Sequence, residues 1–191
     1  MAATVPIFHS MILWKKRRSL TVRMPAKHGE SLSLDCPDEA ATERLGVCIA
    51  ESVVDGVVVE LNGQLGAGKT RLVRAICKAL GVDTTHVNSP TFVLLQLYTD
   101  GRIPVAHFDT YRLGDIDEFR AIGADEFTNS IDWLCLIEWA ERVAECLPDD
   151  RLRIDISATN ADARHVAVSS TGSHSTALLQ RIRQNIDRSH G

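Results

Sequence analysis

No stretch of this 191-residue chain approaches the roughly 18 consecutive apolar residues that a helix needs to cross a membrane, so no membrane role is expected. Its five cysteines, Cys36, Cys48, Cys77, Cys135 and Cys146, are odd in number and form no CxxC pair. They therefore cannot all pair as disulfides and offer no zinc-ligand spacing; inside apolar segments they read as reduced core residues of a cytoplasmic protein. The seven histidines are scattered singly, and one such as His107, within an apolar strand, reads as a structural residue rather than a ligand. Acidic residues are missing from positions 1–29, which hold six Lys or Arg, leaving 15 basic against 25 acidic residues from Glu30 onward. With a net charge near −10, that part is poorly suited to gripping nucleic acid unaided. Any RNA contact is expected to come through a partner.

The apolar stretch from Ile7 to Trp14 precedes the basic run Lys15-Lys16-Arg17-Arg18, the reverse of a secretory signal. Residues 1–30 are read as a basic, disordered leader or a mis-assigned start, with Met11 and Met24 as later starts. A transit peptide or a nucleic-acid contact is the other reading of the same charges. Residues 31–191 have the length of one domain with a full core, including a C-terminal helix. No internal repeat or extended low-complexity segment interrupts it.

The most specific signal is Gly63-Gln64-Leu65-Gly66-Ala67-Gly68-Lys69-Thr70, which fits GxxxxGK[ST]. That motif means a phosphate-binding loop only where a strand enters and a helix leaves. Val57-Val58-Val59-Glu60-Leu61 is a β-branched run suited to a buried parallel strand. Leu72, Val73, Ile76, Cys77 and Leu80 recur at helical spacing, with Gly81 as a stop. In that setting glycines let backbone N–H groups turn toward phosphate, Lys69 reaches the β- and γ-phosphates, and the Thr70 hydroxyl takes a magnesium position. ATP with Mg2+ is the expected ligand, since neither an NKxD guanine-reading segment nor a DxxG switch occurs.

Two apolar strands then end in an acid: Val105-Ala106-His107-Phe108-Asp109 and Leu134-Cys135-Leu136-Ile137-Glu138. Ligands of open α/β sheets bind beyond the carboxyl ends of the strands, so both acids can face the edge that carries Lys69. Asp109 suits a metal position, direct or through water, and Glu138 either orients the attacking water or completes the metal shell. The alternative for each is a helix cap or an ion pair with Arg112 or Arg142. Ser89-Pro90-Thr91 supplies hydroxyls that sense the γ-phosphate in a switch-like segment, or else forms a simple turn. Trp139 stacks on a base or partner, or belongs to the core.

Around these motifs the pattern predicts a helix opening at Pro37-Asp38-Glu39 and ending before the turn at Asp55-Gly56. A strand follows over 91–98, then a hairpin turn at Asp100-Gly101, a strand over 103–108 and a short acidic helix over 115–121. Further along it predicts a strand over 133–137 and a helix over 140–146. An antiparallel pair over 151–157 and 165–170 precedes a terminal helix over 177–186. The fold class is α/β: a single P-loop NTPase domain with a mostly parallel sheet, flanking helices and an antiparallel C-terminal strand pair.

With GQLGAGKT, VNSPTF, HFDTYRL and IEWAE in this order, after a helix containing Thr42, the chain resembles the TsaE family over roughly residues 33–157. The resemblance implies a small ATPase of threonylcarbamoyladenosine synthesis on tRNA. Such a protein is weakly active alone, works with the TsaD–TsaB heterodimer and meets tRNA only through that complex. It also implies that Lys69 and Thr70 hold phosphate and magnesium, that Ser89 and Thr91 form a switch, and that Asp109, Glu138 and Trp139 complete the site. Three positions depart from the family pattern: Gln64 for Asp or Asn, Arg71 for Thr or Ser, and Ala140 for Pro. At Arg71 the implied hydroxyl contact to the α-phosphate passes to backbone N–H or is lost. Two rivals stand beside this reading. A small-molecule kinase would need an arginine-bearing lid, whereas only Arg112 and Arg120 lie between Asp109 and Glu138, amid acids that include Asp115, Asp117, Glu118, Asp125 and Glu126. A non-catalytic nucleotide-sensing module is the other. No residue is an obvious cis arginine finger; Arg112 is the nearest.

Overall fold

The β-branched run at residues 57–61 becomes the strand on which the molecule is organised. The computed structural model describes residues 21–23 and 30–189. In chain order the elements are β1 (Thr21–Arg23), β2 (Ser31–Cys36), α1 (Glu39–Ser52), β3 (Val57–Asn62), α2 (Lys69–Ala79), β4 (Leu95–Tyr98), β5 (Val105–Asp109), α3 (Ile116–Ala121), α4 (Ala124–Thr128), β6 (Leu134–Glu138), β7 (Leu152–Ala158), β8 (Arg164–Ser170) and α5 (Ser173–Arg188). The eight described strands form one sheet in the order β1-β2-β8-β7-β3-β6-β5-β4. Pairings β7–β3, β3–β6 and β6–β5 are parallel, and the outer pairings are antiparallel on both sides. The parallel centre and the β7–β8 pair match the expected α/β class. Of the leader 1–30, Thr21–Arg23 pairs with β2, which extends the sheet into the segment expected to lie outside the domain. Residues 1–20 and 24–29 lie outside the described residues.

Because strand side chains alternate, each central strand feeds two cores. Val57, Val59 and Leu61 pack with α1, α2 and α5 in one cluster, while Val58, Ala106, Phe108, Cys135 and Ile137 pack with Phe119 and Ala124 in the other. The five cysteines are free, and all but Cys146 are buried. Burial pushes the Cys77 and Cys135 thiols up to about 12, which leaves them packing groups rather than nucleophiles.

Several elements differ from the sequence expectation, among them the unpredicted α4 and an α5 that starts at Ser173. The strand expected over 91–98 is confined to Leu95–Tyr98. Pro90 carbonyl oxygen accepts from both Val93 and Leu94 N–H, Leu94 sits at φ 65°, and the segment turns instead of extending. The helix expected over 140–146 is two 3-10 turns, Ala140–Arg142 and Ala144–Cys146, separated by Val143 at φ −125° and entered through Trp139 at φ 60°. Residues 31–36, for which no element was predicted, form β2 and pair with β8. The first helix begins where expected, with the Asp38 carboxylate accepting from Ala41 N–H at 2.8 Å.

Candidate functional site

Asn62 ends β3, and the chain turns at once into the glycine loop. Gly63, Gly66 and Gly68 all have positive φ, at 140°, 78° and 108°. A Cβ on Gly63 would lie 2.3 Å from the Ile156 carbonyl oxygen, so only glycine fits there. Gly68 caps α2, whose first residue is Lys69.

Register brings the acids to this loop. Leu61 of β3 pairs with Glu138 of β6, and Glu138 pairs with Asp109 of β5, so the two carboxylates are neighbours at the strand ends. The chain locks that edge by backbone bonds: Trp139 N–H donates to Leu61 oxygen at 3.0 Å and Thr110 N–H to Glu138 oxygen at 3.1 Å. Both carboxylates are 2% exposed, too buried to be ordinary surface acids.

Each acid has specific donors. Glu138 Oε2 accepts from Thr70 Oγ1 at 2.9 Å, and its Oε1 lies 3.0 Å from His107 Nε2. Asp109 Oδ2 accepts from Ser89 Oγ and, at 2.8 Å, from Thr91 Oγ1; its Oδ1 accepts from Tyr111 N–H at 3.0 Å. Neither acid is paired with the arginines named as alternatives. The Arg112 guanidinium lies 4.2 Å from the Phe92 ring centroid, and Arg142 donates to Leu113 oxygen.

Lys69 Nζ donates to Gly63 oxygen at 2.6 Å and to Gln64 oxygen at 3.1 Å, and lies 3.5 Å from the Trp139 ring centroid. Burial pulls this ammonium below the usual lysine value, while the charges of Glu138, Glu141 and Asp109 pull it back up. Trp139 in turn packs on Tyr111, with ring centroids 4.9 Å apart.

Together these groups border a cavity of about 410 Å³. Leu65, Gly66, Gly68, Lys69, Thr70, Arg71, Ser89, Thr91, Asp109, Glu138 and Trp139 all line it. Gly63, Gln64 and Ala67 belong to the loop but not to the lining, and the Gln64 side chain points into solvent. Arg71 reaches the cavity but pairs with Glu39 of α1. The sequence pattern did not bring forward three contributors. His107 was read as structural and hydrogen-bonds Glu138. Arg164 of β8 borders the cavity and donates from Nε to Ala67 oxygen of the loop at 2.8 Å. Tyr111 walls the cavity beside Trp139. His107 had a usable signal, since it lies two residues before Asp109 on the same strand face; Arg164 had none.

The cavity fits a nucleotide with magnesium. It combines a glycine cradle at a helix N-terminus with a lysine, two hydroxyl-bearing segments and two carboxylates. Among the described residues no group of three or more His, Cys, Asp or Glu is arranged to hold a metal alone. Magnesium is commonly held by one or two protein oxygens plus substrate phosphates and water, which Thr70, Asp109 and Glu138 can provide. No described helix is long and apolar enough to cross a membrane.

A strand, GxxxxGKT loop and helix, with two further parallel strands ending in acids beside it, define an α/β domain of the phosphate-loop class. Comparison with known proteins makes this narrower. The family model described as Threonylcarbamoyl adenosine biosynthesis protein TsaE matches residues 36–166, and the chain belongs to that family. It is 36% identical over 146 residues to the tRNA threonylcarbamoyladenosine biosynthesis protein TsaE of Bacillus subtilis, covering 76% of this chain and 89% of that one. Against the Haemophilus influenzae protein of the same name the identity is 37% over 142 residues, covering 72% and 88%. The crystal structure of Bacillus subtilis YdiB superposes with a TM-score of 0.69 at 27% identity, covering 83% of this chain and 98% of that one.

Proposed function

We propose that this protein is a magnesium-dependent ATPase of tRNA threonylcarbamoyladenosine synthesis in the cytoplasm, weak by itself and activated by the TsaD–TsaB heterodimer, through which it meets tRNA. The observation that carries the reading is a single cavity bordered by Lys69, Thr70, Thr91, Asp109, Glu138 and Trp139, drawn from four separate segments. Family membership supports the pathway, and the acidic body supports RNA contact through partners.

In this reading the glycine loop from Gly63 to Thr70, with Arg71 following it, surrounds the phosphates of ATP, and the Trp139 ring packs against the bound nucleotide. Lys69 is assigned to the β- and γ-phosphates, and its ammonium leaves the Gly63 and Gln64 carbonyls to make that contact. Thr70, Asp109 and Glu138 would hold magnesium, which supplies Lewis-acid stabilisation of the phosphoryl oxygens. Glu138 orients the attacking water in line with the γ-phosphorus. Lys69 and the loop amides stabilise the negative charge that grows on the phosphoryl oxygens. Ser89 and Thr91 let go of or keep Asp109 according to what the cavity holds, and so report the γ-phosphate to the exposed segment at Phe92 and Val93.

ATP turnover measured with and without cognate TsaD–TsaB tests this. Stimulation by the heterodimer is expected, together with a loss of about a hundredfold or more in the Lys69→Ala protein. Absence of stimulation, with tRNA modification retained in a Lys69→Ala strain, overturns the proposal.

A further inference from the structure

His107 lies inside the sheet with none of its surface exposed, yet it is not packed as an inert ring. It sits on β5 two residues before Asp109, and strand alternation gives it the same face as Asp109. Across the parallel pairing it is level with Leu136, two residues before Glu138 on β6. From that position Nε2 reaches forward to Glu138 Oε1 at 3.0 Å, while Tyr98 of β4 stacks on the ring with centroids 6.5 Å apart. The other nitrogen, Nδ1, is buried and has no hydrogen-bond partner among the described residues.

Two consequences follow from elementary chemistry. An ionised carboxylate can only accept, so the proton of this contact is on Nε2. Glu138 is then held at both oxygens, by the imidazole on one side and by Thr70 on the other. A glutamate at the end of a strand has three side-chain torsions to settle. Two donors from different elements leave it a single orientation, the one whose Oε2 lies against Thr70 of the glycine loop.

We propose that His107 is a positioning residue of the ATPase site: it clamps the Glu138 carboxylate toward Thr70 and the cavity, and thereby governs the hydrolytic step rather than nucleotide affinity. The inference rests on the proposed ATPase reading and goes beyond it by assigning a role to a residue that does not line the cavity. Partners that orient the ligands of a site are commonly worth about ten- to a hundredfold in activity, and the same scale is expected here.

The test compares His107→Leu, which removes the donor, with His107→Gln, whose terminal amide nitrogen places an N–H close to where Nε2 stands. Each full-length chain is assayed for ATP turnover with the cognate heterodimer and for equilibrium binding of a fluorescent ATP analogue. His107→Leu should lose about tenfold or more in kcat with little change in analogue affinity, and His107→Gln should recover most of the loss. A second readout needs no nucleotide. Imidazole 15N shifts of the free chain should show the Nε2–H tautomer for His107, and Glu138→Ala should abolish that preference. Unchanged turnover in His107→Leu, equal losses in both variants, or an Nδ1–H tautomer in the free chain each overturns the inference. If the unmodified chain with its partners does not hydrolyse ATP, the functional reading itself falls, and this inference with it. If it does, and Glu138→Gln slows it while His107→Leu does not, only the clamp is wrong.

Discussion

Two glutamates on neighbouring parallel strands are equally hidden and differently answered. Glu60 on β3 is fully buried and meets two guanidinium groups, Arg151 Nε, just before β7, at 2.5 Å and Arg153 Nε, on β7, at 2.7 Å. Glu138 on β6 is almost as buried and meets a hydroxyl and an imidazole. Glu60 therefore has its charge answered by two cations of the fold itself, in mid-strand and away from the cavity. Glu138 stands at a strand end beside the glycine loop, where its partners orient it without supplying a permanent cation. The first arrangement holds β3 to β7. In the proposed reading, the second leaves a buried carboxylate to engage a cation that arrives with a ligand, the property a magnesium-nucleotide site requires.

Exchanging the charge for an amide at each position separates the two roles most sharply. Glu60→Gln leaves one acceptor oxygen for two guanidinium groups, and should cost about 3 kcal/mol of folding stability, near the lower end for a broken buried pair. The lower end is chosen because the Arg153 side chain is 41% exposed and can turn outward, whereas that of Arg151 is 13% exposed and cannot. Urea midpoints at unchanged slope would register the loss, while the turnover of the folded fraction stays near normal. Glu138→Gln should do the reverse, lowering turnover by about a hundredfold or more with stability changed by about 1 kcal/mol or less. A variant at either position that moves both quantities together breaks the distinction.

Asp109 offers an intermediate case, since its Oδ2 is held by two hydroxyls from one turn rather than by a lysine or arginine. Thr91→Val keeps the shape and removes one of those donors. A loss of about tenfold in turnover is expected, consistent with one charge-assisted hydrogen bond, and no more than a small stability change, because Ser89 still holds the carboxylate. A Thr91→Val protein with full turnover and weakened folding would make the turn structural and remove the switch.

What was readable beforehand divides along the same line. The loop, its flanking strand and helix, and the two strand-end acids are local patterns: β-branched runs, helical spacing and an acid at the end of an apolar strand. Each could be found within about ten residues of sequence. The partners that hold them were not local. His107 and Glu138 are 31 positions apart, Arg164 and Ala67 are 97 apart, and Glu60 meets Arg151 across 91. Those contacts depend on strand order and register, which a single chain's periodicity does not specify. The misplaced strand start has a similar origin. Residues 91–94 have strand-like side chains, yet Ser89 and Thr91 spend their hydroxyls on Asp109 and Pro90 gathers the following N–H groups into a turn.

The smallest expected effect concerns a third arginine–carboxylate pair, this time on the rim of the cavity. Arg71 pairs with Glu39, with side chains 42% and 64% exposed, so water already solvates both partners and the pair contributes about 0–1 kcal/mol. The sequence resemblance implies a hydroxyl in place of Arg71, and the proposed reading would set it against the α-phosphate. Arg71→Thr should therefore leave stability nearly unchanged and tighten ATP binding by roughly fivefold, the worth of one ordinary hydrogen bond of about 1 kcal/mol. Titration calorimetry on both proteins decides the matter, with Glu39→Gln as the companion variant. Weaker binding in Arg71→Thr, together with tighter binding in Glu39→Gln, would mean that the guanidinium leaves Glu39 to hold phosphate. The exposed pair would then belong with Glu138, as charge kept for the ligand, and not with the permanent pairing at Glu60.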